Sequence, residues 1–167
     1  MLVQNNIKED KMDKHNDLKR NKGKYHKEAL SAWHNMFHRV ENYTQYSNVT
    51  ICDEWHTYSN FYQWYSTNYV HGWDLDKDIK GGKAYSPDFC VFVPREVNLL
   101  FREVNTKYGK GVVQNGNGYQ AQITIDGKNE KLGTYPTINE ATMAYQKARK
   151  ERLTVLVVRY PTLSTII

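Results

Sequence analysis

Cysteine is scarce: the 167-residue chain has two, Cys52 and Cys90, far apart and in no C-x-x-C pair. That spacing excludes a zinc ribbon and a disulfide framework, and two buried free thiols in a reducing compartment is the plain reading. Long apolar runs are missing too. No stretch approaches the length needed to cross a bilayer, and the Met1 end is polar, without the apolar centre of a signal peptide. A soluble, cytoplasmic protein with no membrane partner is therefore expected. Metal-ligand spacing is also absent from His15, His26, His34, His38 and His56; His34 and His38 share a helical face, but nothing nearby supplies a third ligand. Charge of one sign does not dominate. Twenty-three Lys and Arg against eighteen Asp and Glu leave a net +5, the sign a polyanion partner requires but too small to establish one.

What the chain does have is aromatic mass, thirteen tyrosines and four tryptophans, which build small cores economically and stack on bases where exposed. Its length holds one ordinary domain or two small ones. Residues 1–27, rich in Lys and Asn, are expected as a flexible basic arm or a loosely attached hairpin, because that composition buries too little surface to offset ordering. From His26, the spacing of Ala29, Leu30, Trp33, Met36, Phe37 and Val40 predicts a core helix. A short strand through Val49–Cys52 follows, then a second helix with an aromatic stripe from Trp55 to Tyr65. Between Trp73 and Asn98, Leu75–Ile79 and Cys90–Val93 read as two short paired strands around a turn-rich loop, and Pro94 opens a helix carrying Val97, Asn98 and Phe101.

The stretch from Lys107 to Arg152 reads as a separate module of three strands and a helix. Asn115-Gly116-Asn117-Gly118 and Asp126-Gly127 supply turns, and along the middle strand Ala121, Ile123 and Ile125 alternate with Gln120, Gln122 and Thr124. Thr137 with Glu140 three residues on is a capping box, and Ala141, Ala144, Tyr145 and Ala148 form the stripe that covers the apolar side of the sheet. Lys110, Lys128, Lys131 and the glutamines are then expected to face outward. The helix is extended to Arg159, with a tail over 161–167.

Gly111-Val112, Y-x-A-x-I at Tyr119–Ile123, L-G-T-Y at Leu132–Tyr135 and T-x-x-E-A-x-x-A-Y at Thr137–Tyr145 resemble an AP2-type DNA-binding domain, a family that lays a three-stranded sheet in the DNA major groove. The resemblance implies DNA contacts at Lys110, Val113, Asn115, Tyr119, Gln122, Thr124 and Lys131, to which the outward face adds Gln120 and Lys128. Upstream, W-x-x-M-F-x-R at Trp33–Arg39, V-T-I-C-D-E-W at Val49–Trp55, L-D-K-D-I at Leu75–Ile79, Y-S-P-x-x-C-x-F-V-P at Tyr85–Pro94 and E-V-N at Glu96–Asn98 resemble phage HNH-type homing endonucleases. The whole likeness spans residues 28–153. It implies an α+β chain: a degenerate ββα-metal (HNH-like) segment with flanking helices over 28–106, then a three-stranded antiparallel sheet plus helix (AP2-like) over 107–160.

A ββα-metal nuclease needs a divalent cation and a histidine base. By position, Asp76 takes the aspartate place, Lys77 that of the base, Phe89 a loop-asparagine place and Asn98 the helix-ligand place, so two of four required chemistries are missing. A lysine stays protonated at neutral pH and suits a phosphate contact better than water activation. Asp76, Asp78 and Asn98 remain a ligand set suited to magnesium, with His71 as the substitute base. The plainer reading makes Asp76-Lys77-Asp78 a local salt-bridged turn. The functional expectation is a phage or mobile-element protein that grips duplex DNA with nuclease activity reduced or lost. Its alternatives are an active magnesium-dependent nicking or homing endonuclease in the host cytoplasm, and a phage factor that binds a host protein complex. Target sequence and oligomeric state are not set by these residues.

Overall fold

The computed structural model describes residues 13–18, 20 and 23–167. It is an α+β fold with four α-helices and three small sheets among those residues. Helix α1 (His26–Asn42) is followed by strand β1 (Thr50–Ile51), a 3-10 turn over Asp53–His56 and helix α2 (Tyr58–Asn68). Strands β2 (Trp73–Asp76), β3 (Ala84–Tyr85) and β4 (Val91–Pro94) then lead into the short helix α3 (Arg95–Phe101). Strand β1 runs parallel to β3, while β2 and β4 pair antiparallel with Asp74 opposite Val93 and Asp76 opposite Val91. Strand, loop, strand, helix is the layout expected over 73–98. The first strand ends at Asp76, short of Ile79, because the Asp76 side chain accepts the backbone N–H of Asp78 and Ile79 and turns the chain.

The aromatic stripes become one core. Trp33, Phe37, Trp55, Tyr58, Phe61 and Tyr65 are all buried, and the Trp33 indole donates to the Trp55 carbonyl at 2.7 Å. Edge-to-face rings, such as Trp33 on Phe37 at 5.2 Å and Trp55 on Phe61 at 5.0 Å, fix their relative angles. Part of the expected arm lies outside the described residues. Its described residues 13–18 are not free, however. His15 exchanges backbone hydrogen bonds with His56 and Tyr58, and the Asp17 carboxylate accepts the Ser59 N–H at 2.9 Å. Backbone pairing and the packing of Leu18 on the core offset an ordering cost that composition alone cannot.

Strands β5 (Val112–Asn115), β6 (Gly118–Ile125) and β7 (Lys128–Tyr135) form an antiparallel sheet in the order β5-β6-β7, covered by helix α4 (Ile138–Arg159). Asp126 and Gly127 both adopt positive φ, 49° and 79°, as a two-residue hairpin turn requires. The Thr137–Glu140 capping box forms as the spacing predicts.

Packing crosses the division at residue 106. Val93, Val97 and Leu100 share a buried cluster with Ile123, Tyr145, Leu156 and Leu163. The terminal segment is likewise no free tail: it forms a 3-10 helix over Pro161–Thr165, and Leu163 is fully buried. Arg152 completes the join. Its guanidinium reaches Glu96 of α3 and Asp126 of the β6–β7 turn, both at 2.6 Å, and Arg159 contacts the same two carboxylates.

Candidate nucleic-acid interface

Alternation along β6 sends Ala121 and Ile123 into the core beneath α4 and Gln120, Gln122 and Thr124 to the other side. Residues directly opposite each other share a face. The register pairs Val113 and Thr134 with Gln120, Lys131 with Gln122 and Asn129 with Thr124. Asn115 falls on this side as well. Asn115 donates its amide to Gln120 (3.3 Å) and to Thr134 (3.1 Å), Gln120 donates to Gln122 (3.3 Å), and Asn129 donates to Gln122 (3.0 Å). An interlinked row of amides therefore runs across all three strands. Each amide presents a donor and an acceptor, the pair that matches an adenine edge, and mutual bonding holds the row in one orientation before any partner arrives. Among the described residues of β5–β7, Lys131 is the one cation that the register places on this face.

Six of the nine expected contact residues meet here: Val113, Asn115, Gln120, Gln122, Thr124 and Lys131. Three do not. Tyr119 opposes Tyr135 and has the parity of Ala121, so it lies on the helix side, edge-on to Tyr108 at 5.4 Å. Lys128 opposes Ile125 and is carried to the helix side by the same parity, although it is exposed. Lys110 is committed elsewhere. Its ammonium donates to the carbonyls of Leu99 (2.8 Å), Leu100 (3.1 Å) and Arg102, closing the C-terminal end of α3, where a cation complements the helix dipole. Sequence reasoning missed Asn129 and Thr134. A register shift between Ala121 and Gln122 places Lys131 and Thr134 on one face although they are three apart, and simple alternation along β7 conceals it.

The nuclease-like residues are also placed. Asp76, Lys77 and Asp78 form a salt-bridged turn: Asp76 accepts two backbone N–H groups and the Lys77 ammonium pairs with Asp78. Lys77 is buried between Tyr46 and Tyr85, its ammonium 5.5 and 5.8 Å from their ring centres. Burial holds the Asp76 carboxyl above the usual carboxylate range, against the two N–H bonds. Asn98 does not join this group but donates its amide to Asp74 at 3.1 Å. The Arg39 guanidinium shares that corner with the Tyr85 hydroxyl and Asp74, none of which the sequence motif singled out as site residues. His71 is exposed and touches the ring of Tyr69, and Phe89 is exposed.

Each residue of the expected magnesium set has a protein partner. One oxygen of Asp76 closes the turn, one oxygen of Asp78 pairs with Lys77, and Asn98 turns to Asp74. No cluster of three or more His, Cys, Asp or Glu suited to a metal occurs among the described residues. Burial pushes the Cys90 and Cys52 thiols up to about 12 and about 11, which keeps them protonated at neutral pH. No described helix is long and apolar enough to cross a membrane. No family model, no curated protein and no solved structure matches the chain.

Proposed function

We propose that this chain binds duplex DNA through the open face of β5–β7, as a phage or mobile-element protein derived from an HNH/AP2-type homing endonuclease whose nuclease centre is reduced or lost. The observation that carries the reading is the row Asn115–Gln120–Gln122–Asn129, pre-oriented by its own hydrogen bonds and set on a rigid sheet. Lys131 beside it supplies a phosphate contact, and the amides supply base-edge contacts. With one cation on the face, affinity comes from few phosphates. The salt dependence is accordingly shallow, with a log–log slope near −0.9 for each phosphate neutralised.

Fluorescence anisotropy on duplexes of varied sequence tests this. Lys131→Ala weakens binding to all of them alike and flattens the salt slope by about one unit, whereas Gln122→Ala relaxes sequence preference by about 1–3 kcal/mol at the positions it reads. Equal effects of the two substitutions on every duplex would contradict the roles given to them. Absence of duplex binding in low salt favours the alternative of a host protein partner.

The nuclease alternative draws on one observation, the Asn98–Asp74 contact that brings α3 against β2. Plasmid nicking in magnesium, abolished by Asp76→Ala, would establish it. The proposal expects no nicking.

A further inference from the structure

A cavity of about 540 Å³ lies between the β2–β4 hairpin, the end of α2 and the segment Arg159–Ile166. It lies on the side of β2 that carries Trp73, opposite to Asp74 and Asp76, and so away from the salt-bridged turn. Four rings wall it: Trp64, Trp73, Phe92 and Tyr160. They are held by one another, with Trp64 stacked on Phe92 at 5.7 Å and Trp73 edge-on to Tyr160 at 5.6 Å. Lys80 and Arg159 are the charged lining residues, and no carboxylate lines the space.

The two cations differ. Arg159 belongs to a balanced group in which two arginines share Glu96 and Asp126, so it adds donors but little net charge. Lys80 donates to the backbone carbonyl of Asp88 at 3.1 Å and has no carboxylate partner among the described residues, so its charge is uncompensated. A flat aromatic ring with one anionic group satisfies both features. An amino acid or peptide terminus with a free ammonium would meet no acidic side chain, and an aliphatic anion would forgo stacking on four rings.

We propose that this cavity binds a nucleobase bearing a phosphate, with the ring against the aromatic walls and the phosphate at Lys80. The inference does not depend on the sheet. The ligand is either a free nucleotide or the end of a DNA strand, and the chemistry of recognition is the same.

The indole N–H signals of the four tryptophans in the full chain provide the test, because Trp64 and Trp73 line the cavity while Trp33 and Trp55 are buried in the first core. Deoxyadenosine monophosphate shifts the Trp64 and Trp73 signals saturably and leaves the other two in place. Lys80→Ala, at an exposed position that folding tolerates, weakens this binding about tenfold, and removing the phosphate from the ligand does the same. A 5′-phosphorylated single strand that binds as tightly as the mononucleotide, with the same dependence on Lys80, identifies a strand end as the source; binding of the mononucleotide alone identifies the free ligand. The proposal is overturned if no saturable shift occurs, if hexyl phosphate binds as tightly, or if Lys80→Ala has no effect. Lys131→Ala leaves mononucleotide affinity unchanged, so failure of the cavity and failure of the sheet are read separately.

Discussion

Asp76 shows how one residue type supports two readings until its partners are known. In the sequence it is a carboxylate next to Lys77 and Asp78, equally suited to a metal or to a turn. Register and burial decide: its oxygen is taken by two backbone N–H groups. Burial raises its folded pKa above the unfolded value, so the folded state holds the proton more tightly. Stability from this group is present below the unfolded value near 3.8 and is lost as pH rises through the folded value. Asp76→Asn keeps the accepting oxygen and removes the buried charge. The variant is therefore expected to gain stability relative to the parent as pH goes from about 4 to about 7, as measured by thermal melts across that range. A gap that stays constant with rising pH would show that folding does not shift this carboxyl, and one that narrows would show that the carboxylate is stabilising when ionised. Lys110 is the converse case, since nothing in the local sequence says that its ammonium is needed by carbonyls at the end of a helix eight to eleven residues earlier.

Elements were more legible than partners, because periodicity and turn chemistry are local. The α1 stripe, the Asp126-Gly127 hairpin, the capping box and the sheet-plus-helix order all follow from spacing within a few residues. The register shift in β6–β7 did not, and with it went Thr134; Asn129, two residues from Lys131 in regular register, was within reach of simple alternation and was missed. Gly111 illustrates a constraint that only packing reveals. Its φ is +74°, and a Cβ there would stand 2.1 Å from the ring of Tyr145, which is itself buried. Gly116 has φ +59° with open space around its missing Cβ. Alanine at 116 therefore costs only the left-handed backbone penalty of roughly 1 kcal/mol, whereas alanine at 111 adds a clash with a ring that has nowhere to go and costs roughly 3 kcal/mol or more. Urea denaturation of the two variants separates these terms, and similar losses at both sites would mean that Tyr145 yields.

At the scale of the whole molecule the two segments that sequence divides share one buried cluster and a set of ion pairs. Motifs lie within segments, so they mark a border after residue 106. The contacts that cross it are long-range and invisible to spacing: Val93 and Val97 against Ile123 and Leu156, Arg149 donating to the Leu100 carbonyl at 2.9 Å, and Arg152 bridging α3 to the β6–β7 turn. This coupling fixes where the amide face stands relative to the β2–β4 hairpin, so any DNA held by the sheet meets the first segment in one orientation. Leu163 is the sharpest probe of it, because it lies four residues beyond the end of α4 yet is fully buried in the shared cluster. Leu163→Ala removes buried methyl groups and leaves a cavity, for a loss of about 2–4 kcal/mol. If the two segments form a single cooperative unit, near-ultraviolet signals from the aromatic core of the first segment and the far-ultraviolet signal of the β5–β7 sheet and α4 are lost together, at one lowered midpoint. Two separated transitions, with the first core surviving after the sheet has melted, would show that the segments fold independently and that the shared cluster is only a contact surface.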